Sequence, residues 1–161
     1  MNLVATGLLA LARNPVQREI LCTEPELSRI AVGEFLRFDT PVPFPTRVAM
    51  EDVEFADRTL PRGTGLILLI GSANRDPEAF PNPDVLDVTR FAADRKTPRH
   101  LAFSHRPHFC VGAPLARLQG EVLFTELMRR VPDFDLLDDA PPYRLSVSMR
   151  GPLSLPVRMP A

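Results

Sequence analysis

The stretch "FSHRPHFCVGAPLARLQGE", Phe103 to Glu121, places one cysteine, Cys110, two residues after His108 and just ahead of a helix-like run opened by Val111-Gly112. A sulfur there meets unpaired backbone N–H groups and the positive end of a helix dipole, both of which favour the thiolate. Several chemistries compete for it. A lone cysteine is commonly a small buried hydrophobe. His105, His108 and Cys110 suggest zinc, but structural zinc sites take four ligands from two separated pairs, and no second pair exists. An activated nucleophile would need a histidine held by a carboxylate, and sequence adjacency of His108 does not supply that geometry. The axial sulfur of a heme iron is the remaining alternative.

A second pair of residues draws notice on chemical grounds. Glu34 and Arg37 stand three apart in "ELSRIAVGEFLR", residues 26–37, so they share one face of a helix. An exposed pair contributes only about 0–1 kcal/mol. Here the surrounding helix is apolar, with Leu27, Ile30, Ala31 and Phe35 on one stripe. A pair buried in that setting needs further partners to offset its desolvation.

The elements that must position these residues follow from pattern and punctuation. "MNLVATGLLALAR" predicts a helix over 2–13 that is apolar on all faces and therefore needs neighbours on all faces. Its Ala10-Leu11-Ala12 mimics a signal-peptide cleavage site, but no Lys or Arg precedes the run, which is also too short to span a bilayer. Pro15 ends it and opens a short helix over 15–22. "RVAMEDVEF" reads as a strand, "ADRTLPRGT" as a turn and "GLILLI" as a short apolar strand. Residues 72–100 are polar, studded with proline and nearly without periodicity; such a stretch is functional or disordered. Leu115, Leu118, Val122, Phe124, Leu127 and Val131 make a long, widely apolar helix over 112–131. The tail "YRLSVSMRGPLSLPVRM" reads as two strands around Gly151-Pro152.

Composition bounds the rest. The 161 residues are one domain's length, enough to remove roughly two-thirds of the unfolded surface from water. A net charge of −1 gives no reason to expect nucleic acid or a membrane surface as partner. The 18 prolines favour long, stiffened connections over a helical bundle. The two cysteines, Cys22 and Cys110, form no disulfide framework, and a reduced, cytoplasmic setting is the default.

Four segments in order, "AVGEFLRFDTPV", "RVAMEDVEF", "GSANRDPEAFPNPDVLDVTRF" and "AFSHRPHFCVGAPLAR", resemble the bacterial heme-thiolate monooxygenases, the cytochromes P-450. The resemblance covers essentially all of the chain, residues 1–161. It implies an α+β fold, mostly α: the end of the central helix, the E-x-x-R helix, a small β-sheet, the meander, the cysteine-ligand loop and the helix after it. It implies heme b with Cys110 as the axial thiolate, whose electron donation favours O–O cleavage. Glu34 and Arg37 match the E-x-x-R helix, and Arg90 matches the third member of that charge network, which also pins the 72–100 stretch, the family's meander. Arg47 and His108 match positions that hold heme propionates, where a guanidinium fork suits a carboxylate. Phe103 matches the aromatic beside the thiolate, Gly112 the last glycine of the cysteine pattern, and Pro41 to Phe44 a substrate-facing stretch. The implied reaction inserts one oxygen atom from O2 into a small hydrophobic substrate, with electrons from a ferredoxin or flavin-type donor.

Two departures accompany the resemblance. Ser104 and Arg106 stand where F-G-x-G-x-H-x-C-x-G has glycines. A non-glycine residue there costs of order 1–2 kcal/mol if φ must be positive. The family's acid-alcohol motif would fall just before Met1, so the expectation is a C-terminal, heme-binding portion without the N-terminal part. On that expectation the isolated chain is catalytically incomplete. The alternative is a non-catalytic heme-binding or protein-interaction remnant.

Overall fold

The computed structural model describes residues 2–146 and 148–159. Helix α1 (Asn2–Arg13) ends where Pro15 forces the preceding residue out of helical geometry; Asn14 turns the chain, and its Nδ2 donates to the Ala10 carbonyl at 2.8 Å. Helix α2 (Pro15–Thr23) starts on that proline, whose missing N–H costs a first turn nothing. The helix expected over 26–37 divides in two. Pro25–Leu27 wind as a 3-10 turn, and α3 proper runs Ser28–Phe38.

The β region differs from its sequence reading. "RVAMEDVEF" is two strands, β1 (Thr46–Val48) and β2 (Val53–Phe55), in separate ribbons. The expected turn over 56–64 contains a strand, β3 (Arg58–Leu60), paired antiparallel with β2 as Val53↔Leu60 and Phe55↔Arg58. Its two-residue loop is Ala56-Asp57, with Ala56 at φ 53°. Tight hairpin loops normally announce themselves by glycine or asparagine, and this one does not. Strand β4 (Gly65–Ile67) pairs antiparallel with β1, placing Arg47 opposite Leu66. The apolar run then leaves the ribbon, and Ile70–Ala73 form the short helix α4.

From Asn74 to Gly112 the only regular piece is a 3-10 turn at Arg106–His108. Helix α5 (Ala113–Arg130) follows. Strand β5 (Asp135–Leu136) pairs with β6 (Val157–Arg158), and Tyr143 bridges Pro152. Among the described residues, the tail, in which Val147 lies outside the description, holds one short strand and one bridge instead of the two strands expected, because Pro152 and Pro156 cannot donate to a ladder.

Helices α1, α3 and α5 meet where glycines allow close approach. A Cβ on Gly7 would lie 2.5 Å from the Phe124 ring, and one on Gly120 would lie 2.8 Å from Val32. Phe35 and Phe124 pack at 4.7 Å between ring centroids, and Leu11, Leu21, Val32 and Met128 close the core around them. Leu86 and Val88 bring the irregular stretch into the same core.

The widely apolar α5 is not enclosed. Among its residues Ala113, Gly120, Phe124 and Met128 are buried, while Leu115, Leu118 and Val122 are each more than half exposed. Helix α1, by contrast, buries Leu9, Ala10 and Leu11. Apolar surface without neighbours thus lies on α5 more than on α1.

Candidate functional site

Helix α3 puts Glu34 and Arg37 on its inner face, both with side chains fully out of solvent. Their contact is a two-pronged fork: Arg37 Nε donates to Glu34 Oε2 at 2.7 Å and Nη2 to Oε1 at 2.8 Å. Arg90 reaches the same carboxylate from the irregular stretch, its Nε lying 3.1 and 3.2 Å from the two oxygens. The Asp87 N–H donates a further bond to Oε1. Remaining guanidinium donors go to backbone carbonyls: Arg37 to Asn74 and Pro83, Arg90 to Pro81, Asn82 and Val85. A buried cation is tolerable only when its donors are satisfied. Here the acceptors are the carbonyls that a coil without helix or strand leaves free, so the network orders residues 74–90.

Asn74 extends that order toward the cysteine loop. Fully buried, it donates from Nδ2 to Thr40 Oγ1 at 2.8 Å, and its Oδ1 accepts the Leu101 N–H at 2.8 Å. The Leu101 carbonyl then accepts Ser104 N–H, and Phe103 carbonyl accepts Cys110 N–H at 2.9 Å. Phe109 N–H closes on Arg106, and Ala113 N–H on the Cys110 carbonyl. Residues 101–113 are therefore a compact loop ending on the first turn of α5. Ser104 and Arg106 both adopt positive φ, 63° and 49°. These are the two positions where glycine was expected, so the loop keeps a glycine-type backbone on residues that resist it. Gly112 sits in ordinary helical geometry at φ −82°, and a Cβ there would lie 3.8 Å from Cys110 Sγ.

The loop faces β1 and the segment after α3 across a crevice of about 360 Å³. Arg47, Phe103, Ser104, His108 and Cys110 all line it, with Leu36 and Ile70 among the apolar walls. Pro41 and Val42, from the stretch expected to face substrate, line it as well. Arg47 Nη1 bonds only the neighbouring Thr46 carbonyl, and among the described residues no carboxylate pairs with it. Cys110 and His108 are exposed. Arg106 does not line the crevice; its Nε hydrogen-bonds His105 Nε2 at 3.1 Å on the outside of the loop. Among the described residues no three His, Cys, Asp or Glu side chains cluster as a metal site, so the His105–His108–Cys110 zinc set is not assembled. Cys22 lies elsewhere, half-buried, its thiol pushed up in pKa by burial and donating to the Pro132 carbonyl.

Among the buried polar residues that the sequence does not single out, Asn74 and His100 bear on the cysteine loop. Asn74 lies in the quoted "GSANRDP", where its type gave no role. His100 is 4% exposed, and burial, with Arg117, Arg99 and Arg37 nearby, lowers its pKa to about 4. No spacing in the sequence singles it out.

A protein-family model described as Cytochrome P450 matches residues 26–141. The chain belongs to the cytochrome P450 family. It is 40% identical over 162 residues to the polyketide biosynthesis cytochrome P450 PksS of Bacillus subtilis, covering 99% of this chain and 39% of that protein. The vitamin D(3) 25-hydroxylase of Pseudonocardia autotrophica is 42% identical over 163 residues, with coverage of 99% and 39%. Among solved structures, the tirandamycin C-bound P450 monooxygenase TamI superposes with a TM-score of 0.90 at 41% identity, over 99% of this chain and 39% of that one. P450BioI in complex with a fatty-acid-ligated acyl carrier protein gives a TM-score of 0.90 at 38% identity, over 99% and 40%. The chain thus spans about two-fifths of the length of the P450 relatives it matches. Likeness at this level supports the partial P450 fold, and no described helix is long and apolar enough to cross a membrane.

Proposed function

We propose that this chain forms the thiolate-bearing side of a P450 heme site, with Cys110 as iron ligand. The observation that carries the reading is the crevice that brings Cys110 together with Arg47 and His108 between apolar walls. That donor set fits heme b: one sulfur for the iron, a guanidinium and an imidazole for the carboxylates, apolar side chains for the macrocycle. Heme bound there would supply the family's chemistry, insertion of one oxygen atom from O2 into a small hydrophobic substrate.

The chain's own residues divide the remaining work. Arg47, without a carboxylate partner among the described residues, holds a propionate with a guanidinium fork, and His108 supports the same edge. Phe103 presses on the loop beside the sulfur, and Gly112 starts α5 next to it, where a Cβ would make only ordinary contact with Sγ at 3.8 Å. Glu34, Arg37 and Arg90 touch nothing in the crevice and act by holding the meander. Pro41 and Val42 present the substrate side.

Electrons enter from the outer side of the loop. There Arg99 stacks on Phe109 at 4.2 Å and Arg117 on Phe103 at 4.8 Å; the two guanidinium groups are close enough to repel and have no carboxylate partner among the described residues. Such a pair suits an acidic ferredoxin or flavin-type donor. The free thiol that ligation requires fits a reducing, cytoplasmic setting. A second reading, a heme-binding or protein-interaction remnant without catalysis, is favoured only by the exposed apolar face of α5.

Hemin titration tests the proposal. Binding should saturate at one hemin per chain, Cys110→Ala should abolish sulfur ligation, and Arg47→Ala should weaken binding about tenfold or more. Saturation unchanged by Cys110→Ala would reject it.

A further inference from the structure

His100 is buried, aromatic and unused by the chemistry above, and it stands midway in a column of rings. Phe91 meets it edge-on with centroids 5.7 Å apart and an 85° interplanar angle. Phe103 lies on its other side at 5.8 Å, and Phe109 follows at 6.3 Å. The column begins on α3, where Phe91 packs against Gly33, next to Glu34; a Cβ on Gly33 would lie 3.1 Å from that ring. It ends at Phe109, one residue before Cys110. His100 Nδ1 also accepts the Ala102 N–H at 3.3 Å, tightening the entry to the loop.

We infer that His100 is a positioning residue for Cys110, transmitting the placement of the charge-pinned meander to Phe103 and so to the loop that carries the sulfur. The inference rests on Cys110 being the heme ligand. The ring does not touch the crevice, so it acts through Phe103. Phe91 meets His100 edge-on and Phe103 meets it at a 54° tilt, and packed rings of this kind constrain a neighbour's orientation as well as its distance. The neighbouring charges agree with a neutral ring: Arg117 from α5, Arg99 beside it in sequence and Arg37 from α3 are all cationic, and together with burial they hold its pKa near 4.

The test compares His100→Phe, which keeps the ring, with His100→Gln, which keeps the acceptor and loses it. The full chain is loaded with hemin, reduced and treated with carbon monoxide, and amide exchange of the Cys110 N–H is followed in parallel. His100→Gln should move a large share of the carbon monoxide complex from the red-shifted, thiolate-ligated band to the blue-shifted form. It should also speed exchange of the Cys110 N–H about tenfold. His100→Phe should match the parent in both. A Gln variant indistinguishable from the parent overturns the inference, as does a Phe variant as impaired as Gln; should the Gln variant not fold, the Phe variant must still match the parent. A parent without the red-shifted band while Cys110 exchange still depends on the ring overturns the ligand assignment instead.

Discussion

Glu34 shows how one carboxylate sustains a site it never touches. It accepts from two guanidinium groups and the Asp87 N–H, and removing it strands two buried cations. Breaking a buried pair costs roughly 3–5 kcal/mol, so Glu34→Ala should lower unfolding stability by about that amount; a denaturant midpoint equal to the parent's would contradict the network. His100 sets a pH signature. Its native pKa of about 4 lies below the ordinary 6.5, so between those values the unfolded chain binds more protons and stability falls as pH falls. The full difference is about 3 kcal/mol, present above pH 6.5 and lost by pH 4. His100→Phe should flatten that slope in urea melts taken across the window. Glu34 and Arg37 were legible because i,i+3 spacing on an apolar helix is a local signal. His100 and Asn74 were not, since their burial arises from contacts made far away in sequence.

At the scale of elements, glycine is missing where the backbone calls for it and present where helices touch. Ser104 and Arg106 hold φ of 63° and 49° in the cysteine loop. Glycine at either should remove strain, and Arg106→Gly should raise stability by about 1 kcal/mol, measured by denaturant unfolding; a loss of stability would mean the side chain contributes more than its backbone costs. Gly120 is the converse case, since a Cβ there meets Val32 at 2.8 Å across the α3–α5 contact. Gly120→Ala should destabilise by about 1–3 kcal/mol, and a neutral thermal melt would show that the helices can separate without penalty. Helices were read well because proline punctuation and 3.6-residue periodicity are local. Strands β2 and β3 were misread because the positive-φ position of their turn is held by Ala56 instead of the usual Gly or Asn.

At the scale of the whole molecule, the helical core, the pinned meander and the cysteine loop are one construction. Phe35 and Phe124 fix α3 against α5, Glu34 and Arg90 fix the meander to α3, and Asn74 ties both to the loop. The order of the four motifs made this family legible in sequence. Burial along α5 was not legible, because apolar content alone does not say which face finds a neighbour. Leu118, Val122, Leu123 and Leu127 line an open groove of about 840 Å³ instead. The central claim, that this construction presents Cys110 as a heme ligand, is tested most directly by the ferrous carbon monoxide spectrum of the hemin-loaded chain. The parent should show the red-shifted Soret band of thiolate ligation, and Cys110→Ala should lose it. Persistence of that band in Cys110→Ala would contradict the account.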